Sequence, residues 1–321
     1  MRVFRNPTSG LDAILNRPPE TSWDRLLASP ITTIARYLST FFPVSFPIVP
    51  REDDAVTVVC ISDTHNTRPR LPPGDILVHA GDLTVSGTRA ELKETVDWIK
   101  AQEHRFKVVV AGNHDLCLDE RFPSGEGGEQ EEEVEWGDVV YLDCASATLK
   151  VPVGGAGGKT RSIKVYGSPY TPQHGNWAFQ YPRSGPLDPW AGRVPVGTDV
   201  LVTHAPPKGH MDDPRGNWGC EMLLRELWRV RPRLHVFGHV HCGHGVEAVG
   251  FDEVQVAWED VVLDVSKEGR GFMAFARMVR ACIGVWWRGG RRGRGETVLV
   301  NAAVVGGLGD RLVREAAVVR I

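Results

Sequence analysis

The sequence predicts an α/β sandwich, and three observations carry that expectation. Apolar, β-branched runs recur at VTVVCIS (56–62), DILVHA (75–80) and FKVVV (106–110), each composed like a strand covered on both faces. An amphipathic segment, ELKETVDWIKAQ (91–102), stands between the second and third runs and places Leu92, Val96 and Ile99 on one helical face. A loop follows each strand end, and the resulting β-β-α-β order stacks sheet against helix.

The remaining elements follow in chain order. Residues 1–50 read as an N-terminal extension, frequent in proline, with one helical candidate over Trp23–Phe42. Its most apolar part (31–50) is broken by Arg36, Pro43, Pro47 and Pro50, short of the ~20 apolar residues of a membrane span. A short helix docked on the domain surface is expected there. No apolar core of a signal peptide follows the first arginines. The domain is expected over 51–321. Within it, the Glu- and Gly-rich stretch 125–138 reads as a solvated loop. Strands resume at DVVYLD (138–143), ATLKV (147–151) and RSIKVYGSP (161–169), with GGAGGK (154–159) as a hairpin connection. TDVLVTHAPP (198–207) is a further buried strand, CEMLLRELWRV (220–230) an amphipathic helix and RLHVFGHVH (233–241) the next strand. Residues 250–296 read as an insertion, after which ETVLVN (296–301) returns to a core strand.

Composition sets broad limits. The chain has 321 residues, 24% charged and 42% hydrophobic, with a formal charge of −3, so it has no general attraction to nucleic acid or anionic lipid. Its six cysteines are scattered without a CxxC pair, which fits free thiols in a reducing, cytoplasmic setting.

The chemistry is written at the strand ends. Asp63 and His65 follow the first run, Asp82 the second, Asn113 and His114 the third; His204 closes a fourth, and His239 and His241 a fifth. Any one of these could be a turn residue. Five in succession, delivered to one sheet edge, describe a site. Imidazoles, carboxylates and an amide carbonyl suit Mn²⁺, Fe or Zn²⁺. A carboxylate bridging two ions roughly 3.5–4 Å apart would let a shared hydroxide attack a phosphoryl group. His239 and His241, at i and i+2, point to one side and can each reach a different ion.

The ordered set Asp63-x-His65, Gly81-Asp82, Gly112-Asn113-His114-Asp115, His204 and Gly238-His239-x-His241 resembles the calcineurin-like metallophosphoesterase superfamily. GSPYTPQHGNWAF (167–179), THAPPKGHMD (203–212) and RPRLHVFGHVH (231–241) are similar to its branch of metallophosphoesterase-domain-containing proteins. The resemblance implies two mixed β-sheets packed as a sandwich and flanked by α-helices. It implies that Asp63, His65 and His241 hold one metal, that Asp82 bridges, and that Asn113, His204 and His239 hold the second. His114 would stay unligated, contact the substrate phosphate and protonate the leaving oxygen, so that His114, Asp82 and Asn113 form the catalytic set. Mn²⁺ heads the expected metals, with Fe or Zn²⁺ as alternatives.

Two departures from the pattern matter. Protein phosphatases of the superfamily carry GDxxDRG, whereas this chain has GDLTVSG (81–87), lacking the acid and arginine that orient the catalytic histidine. This speaks against a phosphoprotein substrate. Some animal members of the branch have glycine where this chain has His239, so its second metal site is expected to be intact.

The expected activity is hydrolysis of a phosphodiester or phosphomonoester, a cyclic nucleotide or nucleotide first. The alternative is a nucleotide-binding or scaffold protein with vestigial hydrolase activity. Trp177 and Phe179 could line the substrate pocket and stack on a base, or pack beneath their loop. His79 could support the ligands or fill the core, and His244 could orient a ligand; His104, His174, His210 and His235 have weaker claims. No specific nucleic-acid partner is expected. In the insertion, Phe272, Phe275, Met278, Val279, Cys282 and Ile283 fall at helical spacing, followed by Trp286, Trp287, Arg288, Arg291, Arg292 and Arg294. Residues 270–294 could therefore touch a membrane surface, or pack as a helix on the domain.

Overall fold

The computed structural model describes residues 22–43, 54–122, 134–154, 158–212, 218–265, 271–291, 295–306 and 309–321. Most of the expected 1–50 extension, much of the acidic loop, the tip of the glycine hairpin, and Arg292 and Arg294 lie outside the described residues.

The strands are β1 (Thr57–Ile61), β2 (Ile76–Ala80), β3 (Phe106–Val110), β4 (Val139–Tyr141), β5 (Ala145–Val153), β6 (Lys159–Ser168), β7 (Thr171–Pro172) and β8 (Gln180–Tyr181). They continue as β9 (Val200–Thr203), β10 (Leu234–Phe237), β11 (Gly245–Gly250), β12 (Glu296–Asn301), β13 (Val305–Gly306), β14 (Arg311–Leu312) and β15 (Ala317–Arg320). One sheet has the order β15-β1-β2-β3-β4, with β1 to β4 parallel and β15 antiparallel at the edge. The other has the order β11-β12-β10-β9-β6-β5, parallel at its centre and antiparallel at both ends. Both sheets are thus mixed, as expected.

The sheets face each other through alternate residues. Val58, Cys60, Ile76, Val78, Val108 and Val110 from the first meet Val151, Ile163, Val165, Val200, Val202, Val236 and Val300 from the second in one buried cluster. The opposite faces are covered as well. Val59, Ile61, Leu77 and Val109 pack under Leu92, Val96 and Ile99 of the helix Arg89–Lys100. Phe237 and Leu299 pack under Leu224 and Leu227 of the helix Glu221–Val230. Two covered faces per sheet explain why the central strands read as unbroken apolar runs. The helix Arg89–Lys100 starts at a capping box: Thr88 Oγ1 accepts from Glu91 N–H at 3.3 Å, and Glu91 Oε2 accepts from Thr88 N–H at 3.4 Å.

A separate helical cluster joins parts of the extension and the insertion. The expected Trp23–Phe42 helix is divided into Ser22–Ala28 and Pro30–Thr40, because Pro30 cannot donate into a continuing helix and instead opens a new one. Ala35 of the second piece packs with Val254, Trp258 and Val261 of the helix Glu253–Val265 and with Ala274, Met278, Cys282 and Val285 of the helix Gly271–Trp287. The apolar positions expected in the insertion are therefore divided between two faces. Met278 and Cys282 point inward, whereas Phe272, Val279, Ile283 and Trp286 are exposed. Arg277 pairs with Asp260, and Arg288 with Glu253. No helix among the described residues is long and apolar enough to cross a membrane. None of the six cysteines forms a disulfide, and Cys60 is buried in the inter-sheet core.

Candidate metal centre

β1, β2 and β3 lie side by side and parallel, so the loops after them open at one edge; β9 and β10 do the same in the second sheet. These five loops meet. Asp63 N–H donates to Gly81 O at 2.8 Å, His65 N–H to Asp82 O at 3.1 Å, and Gly238 N–H to His204 O at 3.0 Å. Across the two sheets, His239 N–H donates to the Asp63 carboxylate at 3.0 Å. Asp63, His65, Asp82 and His239 all take left-handed backbone conformations, with φ of 53°, 43°, 55° and 64°. Such angles turn each side chain sharply back over the strand ends and disfavour residues other than glycine. Gly238 is required by close approach, since a Cβ there would lie 2.6 Å from Ser62 Cβ and closer still to Asp63 Oδ2.

The side chains converge as their backbones direct. Asp63, His65 and His241 bring one ligand atom each within 4.8 Å of one another, and so do Asp82, His204 and His239. A third set, His65, Asp82 and His114, meets the same limit. Asp82 stands between the groups: its Oδ2 lies 3.2 Å from His204 Nε2 and 3.7 Å from His65 Nε2, while its Oδ1 accepts His114 N–H at 2.8 Å. Asn113 Oδ1 lies 3.1 Å from His204 Nε2, and His241 Nε2 lies 3.2 Å from Asp63 Oδ1. Donors that share one ion at about 2.1 Å lie roughly 3.0–3.4 Å apart, so these separations are close to those of a coordination shell. Two buried ring atoms, His65 Nε2 and His239 Nε2, have no hydrogen-bond partner among the described residues. Buried imidazole nitrogens left open beside buried carboxylates suit cation ligation.

The electrostatics agree with that fit. Burial alone would raise the pKa of Asp63, but the hydrogen bond from His241 and the charge of His204 hold it below the ordinary carboxylate range. Asp82 is likewise held well below it against burial, chiefly by His204. Burial opposes the charged form of His204, yet the adjacent Asp82 pushes its pKa up to about 9. His239, buried and beside His204, is held well below the usual histidine range and stays neutral. A cation would replace the proton on His204 and satisfy both carboxylates.

The surrounding shell contains residues the sequence left open. His79 is fully buried, and burial lowers its pKa to about 3; its Nδ1 accepts Gly81 N–H at 3.3 Å and its Nε2 donates to Thr64 Oγ1 at 2.9 Å. It thereby braces the loops of both carboxylates. Asp115 accepts from Gly112 N–H, Leu83 N–H and Thr84 N–H at 2.7, 3.2 and 3.0 Å, tying the Asp82 loop to the Asn113 loop. Asn301 donates to Met211 O at 3.1 Å and Val240 O at 2.9 Å, clamping the loop after His204 to the one bearing His239. His210, buried, bridges Glu247 at 3.2 Å and Glu259 at 3.3 Å, which fastens the loop after His204 to the helix Glu253–Val265. His174 packs edge-on against His239 with centroids 4.6 Å apart. His235 pairs with Thr203 Oγ1, and His104 with Pro72 O, away from the ligands. His244 is half-buried, and its Nδ1 has no hydrogen-bond partner among the described residues. Asp310, 3.8 Å from His241 Nδ1, lines the cleft and escaped sequence reasoning, because no strand or motif precedes it.

The cleft has a volume of about 280 Å³ and is bordered by His65, Asp82, Asn113, His114, His239 and His241 together with His174, Trp218 and Asp310. Trp177 is not among these lining residues, and its ring is stacked on His114. Phe179 is buried and packs with Ala111 and Ala178 beneath the loop, the second of its two expected placements.

Comparison with known proteins accords with this geometry. Residues 56–243 match the calcineurin-like phosphoesterase family. The chain is 45% identical over 97% of its length to a probable rhamnogalacturonate lyase C of Emericella nidulans, of which it spans 29%. It is 36% identical over 63% of its length to metallophosphoesterase domain-containing protein 1 of Homo sapiens, spanning 65% of that protein. A UPF0046 protein of Caenorhabditis elegans is 33% identical over 71% of this chain and 85% of its own. The chain thus spans less than two thirds of the first two relatives.

Proposed function

The chain belongs to the calcineurin-like phosphoesterase family, within its branch of metallophosphoesterase-domain-containing proteins, and from that premise we propose that it hydrolyses a small phosphoester at a two-metal centre. The observation that carries this reading is the convergence of donors from five loops, with the Asp82 carboxylate between two ligand groups. Asp63, His65 and His241 would hold one ion and Asn113, His204 and His239 the other, with Asp82 contributing to both. Two divalent ions, Mn²⁺ foremost and Fe or Zn²⁺ as alternatives, would supply Lewis acidity toward a phosphoryl group and activate a water.

The protein's own contribution is placement and one proton. Asn113 and His114 face the cleft and contact the phosphate. His114 Nδ1 donates to Val85 O at 2.9 Å, so Nε2 is the atom turned to substrate. As the ester P–O bond breaks, the imidazolium form of His114 passes its Nε2 proton to the departing oxygen and keeps its Nδ1–H on Val85 O. A cleft of about 280 Å³ suits a phosphate with a compact substituent, such as a cyclic nucleotide or nucleotide, better than a folded phosphoprotein.

The test is turnover of a chromogenic phosphodiester and a phosphomonoester by the Mn²⁺-loaded protein. Asp82→Ala and His114→Ala are each expected to lower kcat at least about 100-fold. Absence of turnover, or turnover indifferent to both substitutions, overturns the proposal. Metal-dependent nucleotide binding with turnover at background would favour the scaffold reading, which the missing acid of GDLTVSG motivates.

A further inference from the structure

The missing acid leaves a physical question: what orients His114? In the GDxxDRG pattern the acid falls four residues after the glycine, the position of Val85 in GDLTVSG. A valine side chain accepts no hydrogen bond. Its backbone does, because Val85 O receives the His114 Nδ1–H at 2.9 Å. The orienting acceptor is therefore a carbonyl in place of a carboxylate. A carbonyl fixes the tautomer, but one hydrogen bond leaves the ring free to rock about it.

Two ring contacts limit that freedom, and the edge-on His65 ring, with centroids 4.7 Å apart, is the first. The Trp177 ring lies stacked on His114, with centroids 4.4 Å apart and planes at 28°. Trp177 is itself held by its neighbours. Ala178 N–H donates to Asn113 O at 3.1 Å, and Phe179 N–H to Asp119 Oδ2 at 2.6 Å. Asp119 is gripped by Arg121, whose guanidinium also donates to Gln180 O at 2.9 Å. Gly175, at φ 135°, also approaches the indole, so closely that a Cβ would lie 3.2 Å from its Cδ1 and Nε1. A rigid indole on a pinned loop thus presses one face of the imidazole.

We infer that Trp177 is a positioning residue for His114, acting with the Val85 carbonyl in place of the absent acid and keeping Nε2 aimed at the leaving-group oxygen. This inference rests on the phosphoesterase reading. It also replaces the expectation that Trp177 stacks on a substrate base, since the indole is already stacked on the histidine.

The test compares two phosphodiesters that differ in leaving group, p-nitrophenolate, which departs unprotonated, and an alkoxide, which needs a proton. Trp177→Leu is expected to lower kcat about 10- to 100-fold for the alkoxide ester and by less than about 3-fold for the p-nitrophenyl ester, with KM little changed. Trp177→Phe, which keeps a ring on the histidine, should recover most of the loss. Adding Trp177→Leu to His114→Ala should cost nothing further. Equal losses with both esters, or a rise in KM alone, overturn the inference. A readout independent of turnover is the NMR spectrum of the His114 ring in the full chain. Trp177→Leu should remove the ring-current shift of its carbon-bound protons and begin to average the Nδ1–H tautomer. If wild-type and Trp177→Leu ring signals coincide, the positioning role fails even in an active enzyme. A wild-type protein inactive on both esters, yet showing the spectral change, would place the failure in the phosphoesterase reading instead.

Discussion

His204 gives its Nδ1–H to the carbonyl oxygen of Ala80, 2.8 Å away, and so turns Nε2 toward Asp82. Ala80 ends β2, in the first sheet, whereas His204 follows β9, in the second. The tautomer of a candidate ligand is thus fixed from the opposite layer, as supporting acceptors do in metal sites. Because its pKa is pushed up to about 9, His204 must shed a proton to bind a cation at neutral pH. Calorimetric titration with Mn²⁺ in buffers of different ionisation enthalpy should therefore report proton release, and His204→Ala should diminish it. Elemental analysis should find about two ions per chain in the wild type and fewer in Asp82→Ala.

Metal removal should lower stability without unfolding the sandwich, whose inter-sheet core is formed wholly by apolar side chains. An ion at 100 times its Kd contributes about 2.7 kcal/mol, which corresponds to a fall in Tm of about 5 °C on chelation. A thermal melt with and without chelator measures it, and identical curves would count against metal in the folded site.

Gly238→Ala tests the cradle beneath Asp63. The added methyl collides with Asp63 Oδ2 and with Ser62, both buried at the strand end. Metal affinity should drop about 10- to 100-fold, comparable to loss of a supporting contact in a metal site. Titration followed by calorimetry checks this, and unchanged affinity would mean that Asp63 tolerates displacement.

His210 makes stability depend on pH. Burial disfavours its charge, but Glu247 and Glu259 win and push its pKa up to about 10, above the ordinary 6.5. A raised folded pKa gives stability that is complete below pH 6.5 and is lost as pH rises through about 10. Removing one member of a buried ion pair costs about 3–5 kcal/mol. His210→Ala should therefore be least stable relative to wild type near pH 6, with the gap closing toward pH 10. Urea melts across that interval check the sign.

Much of the site was legible because its ligands sit directly after apolar strands. VTVVC, ILVHA and KVVV announce themselves by burial on both faces, and the residues behind them then share one edge. Asp310 and Trp218 could not be found that way, since they enter the cleft from segments without strand periodicity. The stacking of Trp177 on His114 was hidden for a different reason. It depends on hydrogen bonds that fold the NWAF loop back onto Asn113 and Asp119, and these join residues 60 or more positions apart. β15 was missed because it is a four-residue edge strand with alternating exposure, Ala-Val-Val-Arg, held by pairing with β1 and by Ala317 and Val319 packing on the inter-sheet core. In the insertion, helical spacing was visible, but spacing alone does not separate inward Met278 from outward Val279; neighbouring helices decide that.

The left-handed turn at His239 sets the terms on which this protein can change. With φ at 64°, the backbone there favours glycine, and holding histidine in that conformation costs about 1 kcal/mol. Selection for a durable fold and selection for a second cation therefore pull that codon in opposite directions. Glycine there would relax the turn but remove the imidazole that meets Asp82 and His204. The histidine is thus kept at a backbone cost that glycine would not carry.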